Sequence, residues 1–233
     1  MKINADFNQR VVVHSASMGW IDSPMPGVAR RPLDRVGDEV ARATSIVRYA
    51  PNSKFSPHVH TGGEEFVVLE GVFQDEHGDY PIGSYIRNPP QSSHTPGSEK
   101  GCVIFVKLWQ FQPDDRHQVS LNSNSIQELP HSKLKGVHLI PLYVDSFEEV
   151  SIQTWDADAQ LTINADNGVE ILVLEGEFTE SGDTLVKHSW LRLPIGSTLN
   201  AQVGSDGAKV WIKQNHLPHV DAQIVRVKNI SDR

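Results

Sequence analysis

The chain has 233 residues, 38% hydrophobic and 21% charged, which is enough apolar material for a packed core and excludes wholesale disorder. A net charge of -8 repels phosphate backbones, so no nucleic-acid partner is expected. The single cysteine excludes an internal disulfide and no apolar run approaches the ~20 residues of a membrane helix, so a cytoplasmic protein with no membrane partner is expected.

In chain order, the first six residues lack the apolar core of a signal peptide. The basic pair Arg30-Arg31, followed by Asp34, reads as a solvated loop rather than an anion site. Residues 38–43 have some helical character, over too short a stretch to matter. Apolar, β-branched runs of strand length then recur at 44–49, 66–69, 103–108, 171–174 and 210–212. Turn residues punctuate them, among them Gly62-Gly63, His77-Gly78-Asp79 and Ser181-Gly182-Asp183. Many short strands with tight connections predict an all-β sandwich or barrel. Cys102 opens one of these strands and reads as a small buried hydrophobe, with a soft metal ligand or a redox thiol as the alternative. Tyr49, Phe66, Phe105 and Trp109 are core residues by default.

The sequence repeats itself. Glu65-Phe66-Val67-Val68-Leu69-Glu70-Gly71 recurs as Glu170-Ile171-Leu172-Val173-Leu174-Glu175-Gly176, roughly 105 residues on, and Pro89 recurs as Pro194. Two domains are therefore expected, 1–122 and 123–233, with the boundary in the polar stretch Asn122-Ser123-Asn124-Ser125.

One set of residues carries chemistry. His58 and His60 are two apart and share a face of a strand, Gly62-Gly63 allows a sharp turn, and Glu64 follows. With His94, they offer three imidazoles and a carboxylate, a donor set for one divalent transition metal. Zinc, Fe(II), nickel and manganese all suit such a set. In the repeat, these four positions align with Ile163, Ala165, Val169 and Leu199. Residues lost as a group were working as a group, so the metal is expected in the first half only. Glu65 and Glu70 persist as Glu170 and Glu175, which assigns them to structure. The remaining histidines, His216 and His219 included, are given no ligand role.

The pattern His58-x-His60-x3-Glu64-x6-Gly71, then Gly83-x5-Pro89-x4-His94, resembles the two motifs of the cupin superfamily, with Gln91 where the second motif usually has glycine. The run Pro57–Gly71, with Asn88-Pro89-Pro90 before His94 and the strand after Gly101, is similar to the cupin-like domain of ChrR-type anti-sigma factors. That resemblance implies a bicupin: two small antiparallel β-barrels, or jelly rolls, the second degenerate. It also implies zinc on the matching histidines and glutamate. Related cupins use a similar site with Fe(II) to cleave diketone-like substrates with O2. Anti-sigma factors of this type hold their sigma factor through a separate helical segment with a His-x3-Cys-x2-Cys motif. With one cysteine in the chain, direct sigma-factor binding is not expected. Two functions stay open: a metal-loaded module that binds or senses a small molecule or oxidant, and a mononuclear non-haem dioxygenase acting on diketones or hydroxyaryl ketones. A homodimer is expected, because most soluble oligomers are symmetric dimers, with a compact monomer whose two cupins pair as the alternative.

Overall fold

The computed structural model describes residues 1–231. Its regular elements are mostly β-strands, with one α-helix at Val220–Ser231 among the described residues. The chain divides into two compact units. The first comprises Met1–Ala5, Gly19–Ser125 and the segment from Asp221; the second comprises Asp6–Met18 and Ile126–Val220. Near its two ends, then, the chain exchanges segments between units. Residues 6–18 join the second unit, and the C-terminal helix joins the first.

In the first unit, the main sheet runs antiparallel in the order Lys2–Ile3, Val28–Gly37, Ala41–Tyr49, Cys102–Leu108, Glu64–Asp75, Ser84–Asn88, Val119–Asn122. The predicted runs at 44–49, 66–69 and 103–108 lie inside these strands. Phe66, Val68, Phe73, Ile86, Ile104 and Val106 point to one face and form the core, joined by Val28 and Val47. Cys102 is buried among them. Burial pushes its thiol up to about 11, against a hydrogen bond with Ser98 that pulls the other way, so it stays protonated and acts as a small hydrophobe.

The second unit repeats the plan. Its main sheet runs Leu129–Pro130, Val137–Val144, Glu149–Trp155, Ser197–Gln214, Val169–Glu180, Ser189–Leu193 and Val11–His14. Ile163, Ala165, Val169 and Leu199 all sit in its apolar core, none more than 6% exposed. Ile163 is the register partner of Leu199, as His58 is of His94 in the first unit. The duplicated motif thus keeps its pairing while its polar side chains are replaced by close-packed apolar ones.

The persistent glutamates have a structural reason. Glu65 lies in register between Arg87 and Lys107, and Glu170 between Arg192 and Lys213. All six are buried. Tyr85 Oη donates to Glu65 Oε1 at 2.7 Å, and His216 Nε2 lies 3.0 Å from Glu170 Oε1. A buried charge persists only where such partners surround it. Gly71 and Gly176 recur for a backbone reason. Both have φ near +70° (70° and 67°), and a Cβ there would come within 2.1 Å of Gly101 O or 2.0 Å of Gly207 O.

Two sequence expectations are corrected. Arg30 and Arg31 are not in a loop but in the strand Val28–Gly37, and residues 41–43 are strand, not helix. The helix at Val220–Ser231 was not expected. Its Val220, Ile224, Val225, Val227 and Ile230 are β-branched and favour strand by local propensity. The three- and four-residue spacing of its buried residues Val220, Gln223 and Val227 fits a helix. Gln223 Nε2 donates to Gln110 O at 2.9 Å, and Arg42 Nε donates to Gln223 Oε1 at 2.8 Å, so tertiary contacts fix the element. No helix among the described residues is long and apolar enough to cross a membrane.

Candidate metal centre

His58 and His94 meet on a two-stranded ladder, His58–Val59 against Ser93–His94. The chain turns after His60. Gly63 N–H donates to His60 O and Gln91 N–H also donates there, at 3.4 and 2.9 Å. A Cβ on Gly62 would lie 2.0 Å from the Trp109 ring, and one on Gly63 2.4 Å from Phe111. Only glycines allow these aromatics to pack on the turn. Gln91 has φ +74°, the left-handed region that glycine occupies most easily, which explains the preference for glycine at that motif position.

The turn returns the chain as the strand Glu64–Asp75, whose first residue reaches the histidines. The ring centroids of His58, His60 and His94 are 4.6–5.0 Å apart. One nitrogen from each ring lies within 4.8 Å of the others, so a single ion can be shared by all three. Glu64 Oε2 is 3.5 Å from His60 Nε2 and 3.6 Å from His94 Nε2. The structure thus groups the three histidines and sets Glu64 beside two of them. His60, Glu64 and His94 are buried and His58 is exposed. None of the other histidines joins this group.

Second contacts set which nitrogen each ring presents. His94 Nδ1 lies 3.3 Å from Asp75 Oδ2, which leaves Nε2 facing Glu64. His58 Nδ1 is 3.4 Å from Ser56 O, which likewise frees Nε2. Asn88 Nδ2 donates to Glu64 Oε2 at 3.4 Å. Asp75 was missed in the sequence. It lies at the far end of its strand from Glu64, and only the fold closes that separation.

The residues fit a metal by an observation of their own. His60 Nε2 is buried and has no hydrogen-bond partner, a costly condition for a polar atom that a coordinated cation would relieve. Burial, then the neighbouring His94 and His58, pulls His60 down to about 3, so it is a neutral ring with a free lone pair. Burial also raises the Glu64 carboxyl above its ordinary range, with the histidines pulling the other way. For His94, burial is outweighed by Asp75 and Glu64, and its affinity for a proton rises.

Two predictions follow from these neighbours. Asp75→Asn keeps the shape but removes the carboxylate behind His94. It should weaken metal affinity roughly 10–100-fold while leaving the circular dichroism spectrum unchanged. Competition with a chelating dye measures this, and unaltered affinity would rule out the role. The other concerns pH. In metal-free protein, folded His60 stays neutral where the unfolded residue, with an ordinary value of 6.5, takes up a proton. Its contribution to stability is whole above pH 6.5 and is lost as pH falls from 6.5 toward 3. Metal-free wild type should therefore lose about 2–3 kcal/mol more than metal-free His60→Gln on going from about pH 7.5 to 4.5. Equal losses in urea titrations would contradict it.

A cavity of about 560 Å³ opens beside the cluster and is lined by His58, His60 and Glu64 together with Tyr49, Val47 and Trp109. That volume falls within the range of small-molecule pockets. Of the aromatics that read as core by default, Tyr49 and Trp109 line this cavity, and Phe66 lies in the core.

Fold and donor set together define an all-β jelly roll of the cupin type with a histidine cluster able to hold a metal. Residues 8–112 match the model of the ChrR Cupin-like domain, and solved structures share the fold of the chain. A candidate dioxygenase from Nostoc punctiforme is 17% identical, covers 90% of this chain and 84% of its own, and superposes with a TM-score of 0.72. The bacterial pirin YhhW from Escherichia coli, solved in complex with nickel(II), is 14% identical over 88% of this chain and 98% of its own, with a TM-score of 0.63. A Cupin 2 conserved barrel domain protein from Leptotrichia buccalis is 12% identical over 84% and 92%, with a TM-score of 0.57. At these identities the likeness is one of fold. Among curated proteins none matches the sequence.

Proposed function

We propose that this protein is a bicupin that holds one divalent transition metal in its first half, on His58, His60, Glu64 and His94, and binds or senses a small molecule in the adjoining cavity. The buried Nε2 of His60, which makes no hydrogen bond and faces two other imidazoles and a carboxylate, carries this reading. Zinc remains the first expectation, and the nickel(II) in the similar E. coli pirin keeps nickel in view. A bound metal would supply a Lewis acid at the cavity wall. The chain's own residues orient the donors: Asp75 holds His94, Ser56 O holds His58, and Asn88 holds Glu64.

A second reading is a mononuclear non-haem dioxygenase. The cavity reaching the cluster favours it, since a structural metal needs no adjoining pocket, and the similar Nostoc protein is described as a candidate dioxygenase. Elemental analysis of protein purified without added metal, paired with an oxygen-uptake screen on β-diketones and hydroxyaryl ketones, separates the two. About one metal per chain with no oxygen uptake supports the binding module. Oxygen uptake matched by substrate loss supports the enzyme. Metal-free protein that takes up none when offered it would overturn both. The same preparation tests assembly, for which we propose a homodimer. Light scattering should give twice the 25.9 kDa chain mass.

A further inference from the structure

The cavity beside the histidine cluster has a second polar feature. Arg30 and Arg35 both line it, and they come from one strand, Val28–Gly37. Strand alternation alone would put an even- and an odd-numbered residue on opposite faces. The register shows how both come to face inward. Val28, Arg30 and Pro32 lie opposite Tyr49, Val47 and Ser45 of the neighbouring strand. A bulge between Pro32 and Asp34 then resets the alternation, so that Arg35 lies opposite Ala43 and Gly37 opposite Ala41. Ala41, Ala43, Ser45, Val47 and Tyr49 are the cavity face of that strand. The inserted residue therefore turns Arg35 onto the wall that Arg30 already occupies, a known use of a bulge beside a functional site.

The two guanidiniums are close enough for Arg30 to depress Arg35, behind burial as the larger cause. Arg30 Nη2 donates to Ser23 Oγ at 2.5 Å; Arg35 Nε donates to Gly37 O at 3.2 Å, and its Nη2 donates to Asp38 O. These contacts orient the groups and leave other N–H donors on each. Neither forms a salt bridge with a carboxylate among the described residues; the Asp38 carboxylate, which attracts Arg35, is exposed and paired with the N-terminal amine. The lining carries two carboxylates, Glu64 within the histidine cluster and Glu39, which is exposed. Two like charges on one half-buried wall, facing alanines, call for an anion. Val28, Val47, Ile104 and Val106 add an apolar stretch to the wall.

We propose that this cavity takes a small organic acid, its carboxylate held by Arg30 and Arg35 and its apolar body lying along Val47 and Ile104 toward the histidines. Arginine suits the task because its planar fork meets a carboxylate with two parallel hydrogen bonds. This names the ligand class of the site proposed above and rests on the cavity being its ligand pocket.

The test is isothermal titration of the full chain with four acids, each paired with its primary amide: hexanoate, octanoate, 3-phenylpropanoate and 4-phenylbutanoate. At least one acid should bind about tenfold or more tightly than its amide. Arg30→Met and Arg35→Met should each erase the preference while metal content and melting temperature stay as in wild type. Arg30→Gln and Arg35→Gln serve if either methionine variant fails to fold. The preference should survive removal of metal by a chelator. No acid preferred over its amide in wild type would overturn the proposal. So would a preference that persists in the arginine variants but vanishes in His60→Ala, because the carboxylate would then sit on the metal. A chain that binds no metal yet keeps an arginine-dependent preference would refute the metal reading alone.

Discussion

Replacing Leu199 by aspartate should cost the second unit about 4 kcal/mol or more. Leu199 is fully buried in an apolar core and pairs in register with Ile163. It stands where the first unit has His94, so the substitution puts a polar group back where the surroundings no longer hold a partner. Loss of a buried leucine alone removes about 1.5–3 kcal/mol of burial. The unpaired charge adds to this, or else the carboxyl stays protonated at a similar cost. Urea titration followed by tryptophan fluorescence suits the measurement, since Trp155, Trp190 and Trp211 are all buried in this unit. A midpoint equal to that of wild type would show that the vacated site still tolerates a charge, and would overturn the reading of this half as a packed, metal-free core.

His60→Ala should abolish most metal binding and leave the fold intact. His60 faces both Glu64 and His94, and its Nε2 has no other partner, so its removal takes a donor from the middle of the set. Metal bound to the folded state stabilises it by mass action, about 2.7 kcal/mol at a hundredfold excess over the dissociation constant. Wild type should therefore lose stability on treatment with a chelator, whereas the variant should not respond. Without metal, the variant should be no less stable than wild type at neutral pH by more than the packing it loses, because it also sheds an unsatisfied buried nitrogen. Equal metal content in the two proteins, or a wild type indifferent to chelation, would sink the proposed site.

Much of the fold was legible in local pattern. The strand runs are β-branched and bounded by turn residues, and their duplication let one half serve as a control for the other. That control separated Glu64, replaced by Val169, from Glu65, retained as Glu170 within a repeated set of buried charges. What escaped was whatever depends on long-range register. Asp75 is tied to His94 only by the path of its strand. Arg35 reaches the cavity wall only through a bulge, which shifts the alternation on which sequence reading relies. The helix at Val220–Ser231 is rich in residues of strand propensity and takes its conformation from contacts with Arg42 and Gln110.

The exchange of chain ends bears on how the protein is made. Residues 6–18 are translated before the main strands of the first unit but belong to the second, while the helix that completes the first unit follows every strand of the second. At about 5–20 residues per second, the first unit waits roughly 5–20 s after its last strand is synthesised before its helix exists. During that interval Arg42, Gln110 and Phe111 lack the C-terminal partners they have in the finished protein. Such a chain cannot complete its halves one after the other during synthesis. A stop codon between the last strand of the second unit and this helix would leave the first unit unfinished although all its strands had been made.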